Sequence, residues 1–204
     1  MTTADSLRRK PKGDKRDRTR AALLAAARAV IREKGYGRTT LEDVAARAGM
    51  TTGAIYGNFR NRAELFIALA EAYWPPIQPR VAPDASTGDA MRALATATIE
   101  ALPERAVAAV GRLSGMAYTL EHPELRQQVQ EITAAYFEMG AAGLETLADS
   151  ENLPMPAEHL VRIVHALTEG LVLQRLLTPD LYPDEVFRAA FSVFGVGRRP
   201  STPA

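Results

Sequence analysis

A short run of small and polar residues has the composition of a surface that donates and accepts hydrogen bonds. The run and the polar residues that flank it are Thr40, Thr51, Thr52, Gly53, Ala54, Tyr56, Asn58 and Arg62. Small residues on the leading face of a short helix allow its backbone to approach a nucleic-acid groove, so that side chains reach base edges. We therefore predict a surface that reads nucleic acid, with Thr52 and Asn58 as candidates for direct or water-mediated base contacts.

The sequence offers few residue combinations that could support catalysis. Carboxylate-bridged metal sites in helical bundles use a glutamate three residues before a histidine, and none of His122, His159 and His165 has one. The chain contains no cysteine, which excludes thiol catalysis, zinc fingers and disulfides. No Gly-x-Ser-x-Gly elbow of a serine hydrolase occurs. The sequence thus disfavours an enzyme and indicates no cofactor or metal site.

Opposite charges are concentrated in different parts of the chain. Residues 1–62 contain 15 Lys and Arg against 6 Asp and Glu, a net charge of +9, and residues 63–204 carry −8, for a total of +1. A basic segment beside an acidic one is typical of a phosphate-binding module joined to a module that avoids phosphates. The alternative is a solvated basic tail, because eight of the 15 cations precede Ala21.

Three helices are predicted to position the small-residue run. Apolar spacing predicts a first helix over 17–34, and Thr40 opens an approximate capping box for a two-turn second helix. Gly49 supplies a tight turn, after which Thr51 caps a third helix over 52–58. Two short helices joined by a glycine turn form a helix-turn-helix. The apolar residues expected in its core are Leu41, Val44, Ile55, Phe59 and Phe66.

The stretch Thr19–Trp74 resembles the DNA-binding domain of the tetracycline-repressor (TetR) family. It contains the sequence GYGRTTLEDVAARAGMTTGAIYGNFRNRAELF. The matching features are a Gly-Tyr after the first helix, a Thr-Thr that opens the second, an Ala-Gly turn, a Gly-x-Ile-Tyr-x-x-Phe recognition helix and a basic residue before Glu-Leu. The resemblance covers about the first third of the chain, and the rest is similar only in being helical and of suitable length.

The resemblance implies roles for individual residues. Tyr56 matches the tyrosine with which the family contacts phosphate. Arg62 matches a basic position, commonly lysine, at which a cation and exposed helix N–H groups hold a phosphate. Thr40 would both cap the second helix and touch the DNA backbone. Alternatively Tyr56 is purely structural, and the basic residues 8–20 form either a disordered tail or a minor-groove arm.

The remainder of the chain is predicted to be helical, which gives an all-α fold of about nine helices. A fourth helix over 62–74 ends before Pro75 and Pro76, residues 75–86 form a linker, and a fifth helix occupies 87–101. Proline is favoured in a first helical turn, where its missing N–H is not needed. Four further helices are therefore expected to open at Pro103, Pro123, Pro156 and Pro183.

The last two predicted helices each carry two apolar surfaces. Helix eight, over 156–177, has Leu160 on one surface and Val172 on the other. Helix nine has Val186 on one surface and Phe187 on the other. A single core cannot use both surfaces, so we predict a homodimer through helices eight and nine. A two-fold pair would place two recognition helices along a palindromic operator. The alternative is a wholly intramolecular core.

The family resemblance implies that the C-terminal helices enclose a small-molecule effector. Candidate wall residues are Met91, Arg112, Met116, Tyr118, Tyr136, Met139, His165 and Glu169, polar or adaptable groups amid apolar helical stretches. A mostly apolar lining predicts a hydrophobic or amphipathic effector. Alternatively the methionines and tyrosines are core residues, Arg112 is an exposed charge, and His165 pairs with Glu169 four residues later.

These observations predict four segments: a flexible basic tail (1–16), a DNA-binding domain (17–75), a helical effector-binding and dimerisation domain (76–197) and a flexible tail (198–204). No apolar stretch approaches the roughly 18 residues of a membrane span, and no signal peptide is visible, so a cytoplasmic protein without a membrane partner is expected. The predicted function is a transcriptional regulator, most simply a repressor that an effector releases from double-stranded DNA. A non-specific architectural DNA binder is the alternative.

Overall fold

Eight helices form most of residues 12–195, the part of the chain that the computed structural model describes, with side chains from residue 15 onward. They are α1 (Lys12–Arg38), α2 (Leu41–Arg47), α3 (Thr52–Tyr56), α4 (Arg62–Tyr73), α5 (Thr87–Glu121), α6 (Pro123–Glu145), α7 (Ala157–Leu177) and α8 (Asp184–Ser192). No strand occurs in this range, so the predicted all-α class is confirmed. None of the eight helices is long and apolar enough to span a membrane.

The two predicted tails lie largely outside the described residues. This holds for residues 1–11 and for the whole C-terminal tail, 198–204. Residues 12–16, which we expected in the N-terminal tail, instead form the beginning of α1.

The number of helices differs from the sequence prediction. Helices five and six are a single helix, α5, which continues through Pro103, so the described chain has eight helices rather than nine. An interior proline removes one helical hydrogen bond. Leu102 and Arg105, on either side of it, are both buried, and their packing offsets that loss. The other three prolines stand at helix starts as predicted: Pro123, Pro156 and Pro183.

The N-terminal domain consists of α1 to α4 around one apolar core. Gly35 has a φ of 77° and breaks α1 near its end, so that the chain turns toward α2. Gly49, with a φ of 65°, makes the turn between α2 and α3. The buried core includes the five predicted residues Leu41, Val44, Ile55, Phe59 and Phe66, with Leu23, Leu65 and Leu69 from α1 and α4. The predicted helix-turn-helix is therefore confirmed.

A second core lies in the C-terminal domain, where α5 packs against α8 and α6 packs against α7. Phe187 and Phe191 of α8 are fully buried in one cluster with Met91, Leu160 and Val172. The phenylalanine surface of the last helix therefore faces the chain's own core. Val186 and Ala190, on the opposite surface of α8, are partly buried against the same cluster. Leu160 and Val172, which we expected on two surfaces that a single core cannot both use, likewise share this one core.

The two domains contact each other along the middle of α5. Arg28 of α1 donates a hydrogen bond to the carbonyl of Val107 at 3.1 Å, and the Tyr36 hydroxyl donates to the carbonyl of Gly111 at 3.2 Å. Helix α4 also packs against α5. The N-terminal domain is thus docked directly on the longest helix of the second domain.

Candidate nucleic-acid interface and inner cavity

Helix α3 presents the small-residue run at its N-terminal end. Thr51, Thr52 and Gly53 are exposed, and Ala54 is half-buried. Ile55 is fully buried and anchors the helix to the core. The Thr51 side chain accepts a hydrogen bond from the Ala54 N–H at 3.2 Å, which caps the helix. The first turn of α3 therefore projects outward, with Thr52 exposed.

Tyr56 lies beside α2 with 51% of its surface exposed. Its hydroxyl donates a hydrogen bond to the Glu42 carboxylate at 2.7 Å, which raises the pKa of Tyr56 and lowers the pKa of Glu42. The hydroxyl can contact a phosphate only by exchanging this acceptor. The sequence analysis did not identify Glu42. The one feature that could have indicated its role is its position, as an acidic residue in the first turn of α2 at the predicted DNA-binding surface.

Thr40 is engaged at the start of α2. Its hydroxyl donates to the Asp43 carboxylate at 2.7 Å and accepts from the Asp43 N–H at 3.1 Å, so the predicted capping box is present. The same carboxylate lies 2.5 Å from the Lys34 ammonium. Hydrogen bonds from Lys34 and then from Thr40 lower the pKa of Asp43 to about 2. Thr40 remains exposed, and its contact with the DNA backbone stays a prediction.

Two of the predicted DNA contacts turn away from the exposed surface of α3. The Asn58 side-chain amide donates to the Ala54 carbonyl at 2.8 Å. Arg62 opens α4 as predicted, but its guanidinium donates to the Tyr36 carbonyl at 2.9 Å and to the Tyr118 hydroxyl at 2.8 Å. Partly buried donors are satisfied by internal acceptors when these lie within reach. Both side chains are therefore engaged within the chain, and the base contact of Asn58 and the phosphate contact of Arg62 stay predictions.

Tyr118 belongs to the contact between the domains rather than to a cavity wall. Its ring stacks on Tyr36, with ring centres 5.7 Å apart, and on His122, at 3.8 Å. It also meets Phe66 edge-on at 5.5 Å. Arg62, which holds the Tyr118 hydroxyl, therefore joins α4 and the end of α1 to α5.

A cavity of about 160 Å³ lies between α5, α7 and the end of α4. Its lining residues are Trp74, Ala109, Arg112, Leu113, Met116, Glu169, Gly170, Leu173 and Leu176. Three of the predicted wall residues, Arg112, Met116 and Glu169, are among them. In the described part of the chain, no group of three or more His, Asp and Glu side chains is placed to hold a metal ion.

The other predicted wall residues do not line this cavity. Met91 is buried in the second core, and Tyr118 lies between the domains. Met139 is largely exposed on α6. Tyr136 and His165 meet between α6 and α7, with ring centres 6.4 Å apart. The eight candidates therefore separate into three cavity residues and five residues elsewhere.

Trp74 connects the cavity to the N-terminal domain. It is the residue at which α4 ends, and its indole N–H donates to the Glu169 carboxylate at 3.0 Å. The Arg112 guanidinium lies 3.5 Å from the same carboxylate. The Arg105 guanidinium lies 4.5 Å from the Trp74 ring centre. The sequence analysis did not identify Trp74 or Arg105. The one feature that could have indicated this site is that Trp74 is the sole tryptophan of the chain and directly precedes two prolines.

Comparison with known families assigns both domains. Residues 23–69 match the family model described as bacterial regulatory proteins, tetR family. Residues 81–194, more than half of the chain, match the model described as BetI-type transcriptional repressor, C-terminal. The chain belongs to the TetR family. The resemblance inferred from the first domain is thus confirmed, and the TetR family consists of DNA-binding transcriptional regulators rather than enzymes.

Curated relatives of this TetR-family chain match it in the DNA-binding domain. It is 48% identical over 54 residues to the HTH-type transcriptional regulator TtgR of Pseudomonas putida, covering 26% of each chain. It is 41% identical over 51 residues to the HTH-type transcriptional repressor BepR of Brucella suis, covering 25% of this chain and 24% of BepR. The chain thus matches about a quarter of the length of these relatives.

Solved structures match over most of the chain. NalD, the secondary repressor of the MexAB-OprM multidrug efflux pump in Pseudomonas aeruginosa, is 25% identical with a TM-score of 0.57 and covers 90% of this chain and 98% of its own. The multidrug binding protein EbrR, complexed with imidazole, is 22% identical with a TM-score of 0.60 and covers 98% of this chain and 100% of its own. The EbrR match shows a shared fold.

Proposed function

We propose that this chain is a ligand-responsive regulator, a dimeric cytoplasmic repressor that a small effector releases from a palindromic operator. Support comes from the projecting turn of α3, from the cavity beside α4, and from relatives named as repressors. The observation that carries the proposal is the position of Trp74. This residue ends the last helix of the DNA-binding domain and also forms a wall of the cavity.

The first turn of α3 would enter the major groove of the operator. The Thr52 hydroxyl would read a base edge, while Thr51, Gly53 and Ala54 keep the backbone close to the DNA. Tyr56 would move its hydroxyl from Glu42 to a phosphate. In this proposal Asn58 and Arg62 support the reading surface from behind, because their side chains are engaged within the protein.

An effector would act through the hydrogen bond between Trp74 and Glu169. A molecule that fills or enlarges the cavity displaces its walls, and the end of α4 is one of them. Displacing Trp74 tilts α4 and the helix-turn-helix that packs on it, so the two recognition helices of a dimer lose their operator spacing. Since binding coupling is reciprocal, operator DNA would weaken effector binding by the same factor.

The second subunit would cover α7 and α8. The phenylalanines of α8 are buried within the chain. The exposed apolar side chains left on and directly after these helices include Ile163, Leu177 and Val193, which are 44%, 63% and 67% exposed. A two-fold contact would bury these side chains in an isologous interface. It would also space two α3 helices about one helical turn of DNA apart.

Selection of bound duplexes from a random library, at near-physiological salt and with the full chain, tests DNA reading. We expect a palindrome that Tyr56→Phe binds more weakly than wild type. Tyr182→Phe, the same change at a half-buried tyrosine of the C-terminal core, should bind as wild type. Recovery of no consensus, with binding that only fades as salt rises, would identify a non-specific phosphate binder instead.

Sedimentation of charge variants tests the dimer surface. Leu177→Glu should give monomers, because each copy would bring a carboxylate against the apolar surface of the other. Val110→Glu is the control, since Val110 is also exposed but lies on α5. A monomeric Val110→Glu variant with a dimeric Leu177→Glu variant would move the interface to α5 and contradict the proposal.

A further inference from the structure

We propose that the cavity beside Trp74 takes a small amphipathic monoanion, a single aromatic ring or a short alkyl body that carries one carboxylate. This inference rests on the proposed function only in treating the cavity as the effector site. It follows from three observations, which are the local charge balance, the buried hydrogen-bond donors without partners, and the size and polarity of the cavity.

The charges around Trp74 do not balance. Two guanidiniums, those of Arg105 and Arg112, lie 4.5 Å and 5.7 Å from its ring centre, and the one carboxylate bonded to the indole is that of Glu169. Arg105 is only 5% exposed, and among the described residues no carboxylate lies within ion-pair distance of it. Burial lowers the pKa of Arg105; the charge of Glu169 raises this pKa, that of Arg112 lowers it, and that of the exposed Glu104 raises it by less. An added anion would balance the local charge.

Both guanidiniums also carry a buried nitrogen without a hydrogen-bond partner. These atoms are Nη1 of Arg105 and Nε of Arg112. Another nitrogen of Arg105 donates to the carbonyl of Pro75, which holds the guanidinium beside Trp74. A buried N–H of a cation that lacks an acceptor costs free energy, and a carboxylate is the acceptor that suits a guanidinium best.

The remaining cavity walls determine the polarity and size of the ligand that fits. Leu113, Met116, Leu173 and Leu176 give the cavity an apolar lining. Its volume is about 160 Å³, and it opens to solvent beside the exposed Leu113 and Met116. An engineered apolar cavity of roughly 150 Å³ binds one benzene molecule. A single ring or a short chain therefore fits, with its carboxylate toward Arg112.

A cationic ligand fits the same surroundings poorly. Glu169, the acceptor such a ligand would need, already receives the indole N–H of Trp74 and faces Arg112 at 3.5 Å. A cation would add a third positive charge against one carboxylate in a partly buried site, where unpaired charge is costly. An anion instead competes with Glu169 for Arg112, and this competition would loosen the carboxylate that holds Trp74 at the end of α4.

Trp74 supplies the measurement, because it is the only tryptophan of the chain. The full protein is titrated, by tryptophan fluorescence, with benzoate, benzamide and benzylammonium, three probes of one size and different charge. We expect benzoate to bind at least about tenfold more tightly than either other probe, as a charge-assisted pair should. Glu169→Gln, which removes the competing carboxylate, should keep or strengthen that preference.

Arg112→Gln should bring the dissociation constants of benzoate and benzamide within about threefold of each other. The matched control is Arg92→Gln, the same change at an exposed arginine near the start of α5 whose partner is Asp89, and it should bind like wild type. Circular dichroism checks the fold of each variant. If Arg112→Gln does not fold, the relative affinities of the three probes for wild type and for Glu169→Gln still test whether the cavity prefers an anion.

Tighter binding of benzylammonium, equal binding of benzoate and benzamide, or no saturable binding of any probe would overturn the inference. An unchanged preference for benzoate in a folded Arg112→Gln variant would overturn it as well. Operator affinity is measured separately with and without benzoate. If benzoate binds as expected but leaves operator affinity unchanged, the anion site stands and the effector role under the proposed function fails.

Discussion

The Tyr56 hydroxyl donates a hydrogen bond to the Glu42 carboxylate across 2.7 Å between α3 and α2. Both side chains are exposed on the side of the domain that carries the projecting turn of α3. A carboxylate and a DNA phosphate compete for the same O–H donor, and the carboxylate also repels the phosphate backbone. In the proposed complex, operator binding through Tyr56 therefore includes the loss of a hydrogen bond within the protein.

Replacing Glu42 should strengthen operator binding. Glu42→Gln removes a negative charge from the proposed DNA-binding surface and leaves a weaker acceptor for Tyr56, so we expect a dissociation constant lower by roughly threefold or more. Glu145→Gln is the control, because it makes the same change in net charge on α6. Fluorescence anisotropy at one salt concentration measures both. Identical affinities for Glu42→Gln and wild type would show that the two acceptors do not compete.

Arg62 should contribute more to stability than an exposed arginine does. Arg62→Met removes charge-assisted hydrogen bonds to Tyr36 and Tyr118, and we expect it to lower the free energy of unfolding by about 2–3 kcal/mol. Arg60→Met is the matched control, since the Arg60 side chain is 88% exposed, and its effect should stay within about 0.5 kcal/mol. Urea denaturation at a fixed protein concentration measures both. Equal effects of the two changes would contradict an internal role for Arg62.

Gly115 should resist substitution, whereas Gly111 on the same helix should not. A Cβ at Gly115 would lie 2.9 Å from the Tyr36 hydroxyl, whose ring is held against Phe66 and Tyr118, whereas a Cβ at Gly111 would meet no atom within 4 Å. Gly111→Ala should stabilise the protein by about 0.5–1 kcal/mol through helix propensity. Gly115→Ala should be less stable than Gly111→Ala by about 1–3 kcal/mol because of overpacking. Thermal and urea unfolding measure the stability of both variants. Equal stability of Gly115→Ala and Gly111→Ala would contradict the prediction.

His165 should make the protein less stable as the pH falls. Burial lowers the pKa of His165 from its usual 6.5, and Glu169 offsets this only in part. Below about pH 6.5 the unfolded chain therefore binds a proton more readily than the folded chain does, so stability decreases until the pH reaches the lowered folded-state pKa. His165→Gln should show a smaller loss of unfolding free energy between pH 7.5 and 5.5. The exposed His159→Gln is the control, and unchanged pH dependence in His165→Gln would contradict the prediction.

Features with a local cause were predictable. The capping side chains of Thr40 and Thr51, the left-handed turn at Gly49 and the apolar spacing of α1 act over a few residues, so the helix-turn-helix could be derived from the sequence. The start of α6 at Pro123 followed in the same way. Pro103 was misjudged because its own preference for a helix start is overcome by the burial of its neighbours.

The sequence by itself determined the all-α class, the helix-turn-helix and the exposed turn of α3, because periodicity, caps and turns depend on neighbours along the chain. Tertiary structure alone decided which acceptors the long side chains use. Trp74 and Glu169 are 95 residues apart, and Arg62 and Tyr118 are 56 apart. A flexible donor such as Arg62 can reach either DNA or an internal acceptor, and the choice depends on which atoms the packed helices bring within about 3 Å, the distance of a hydrogen bond.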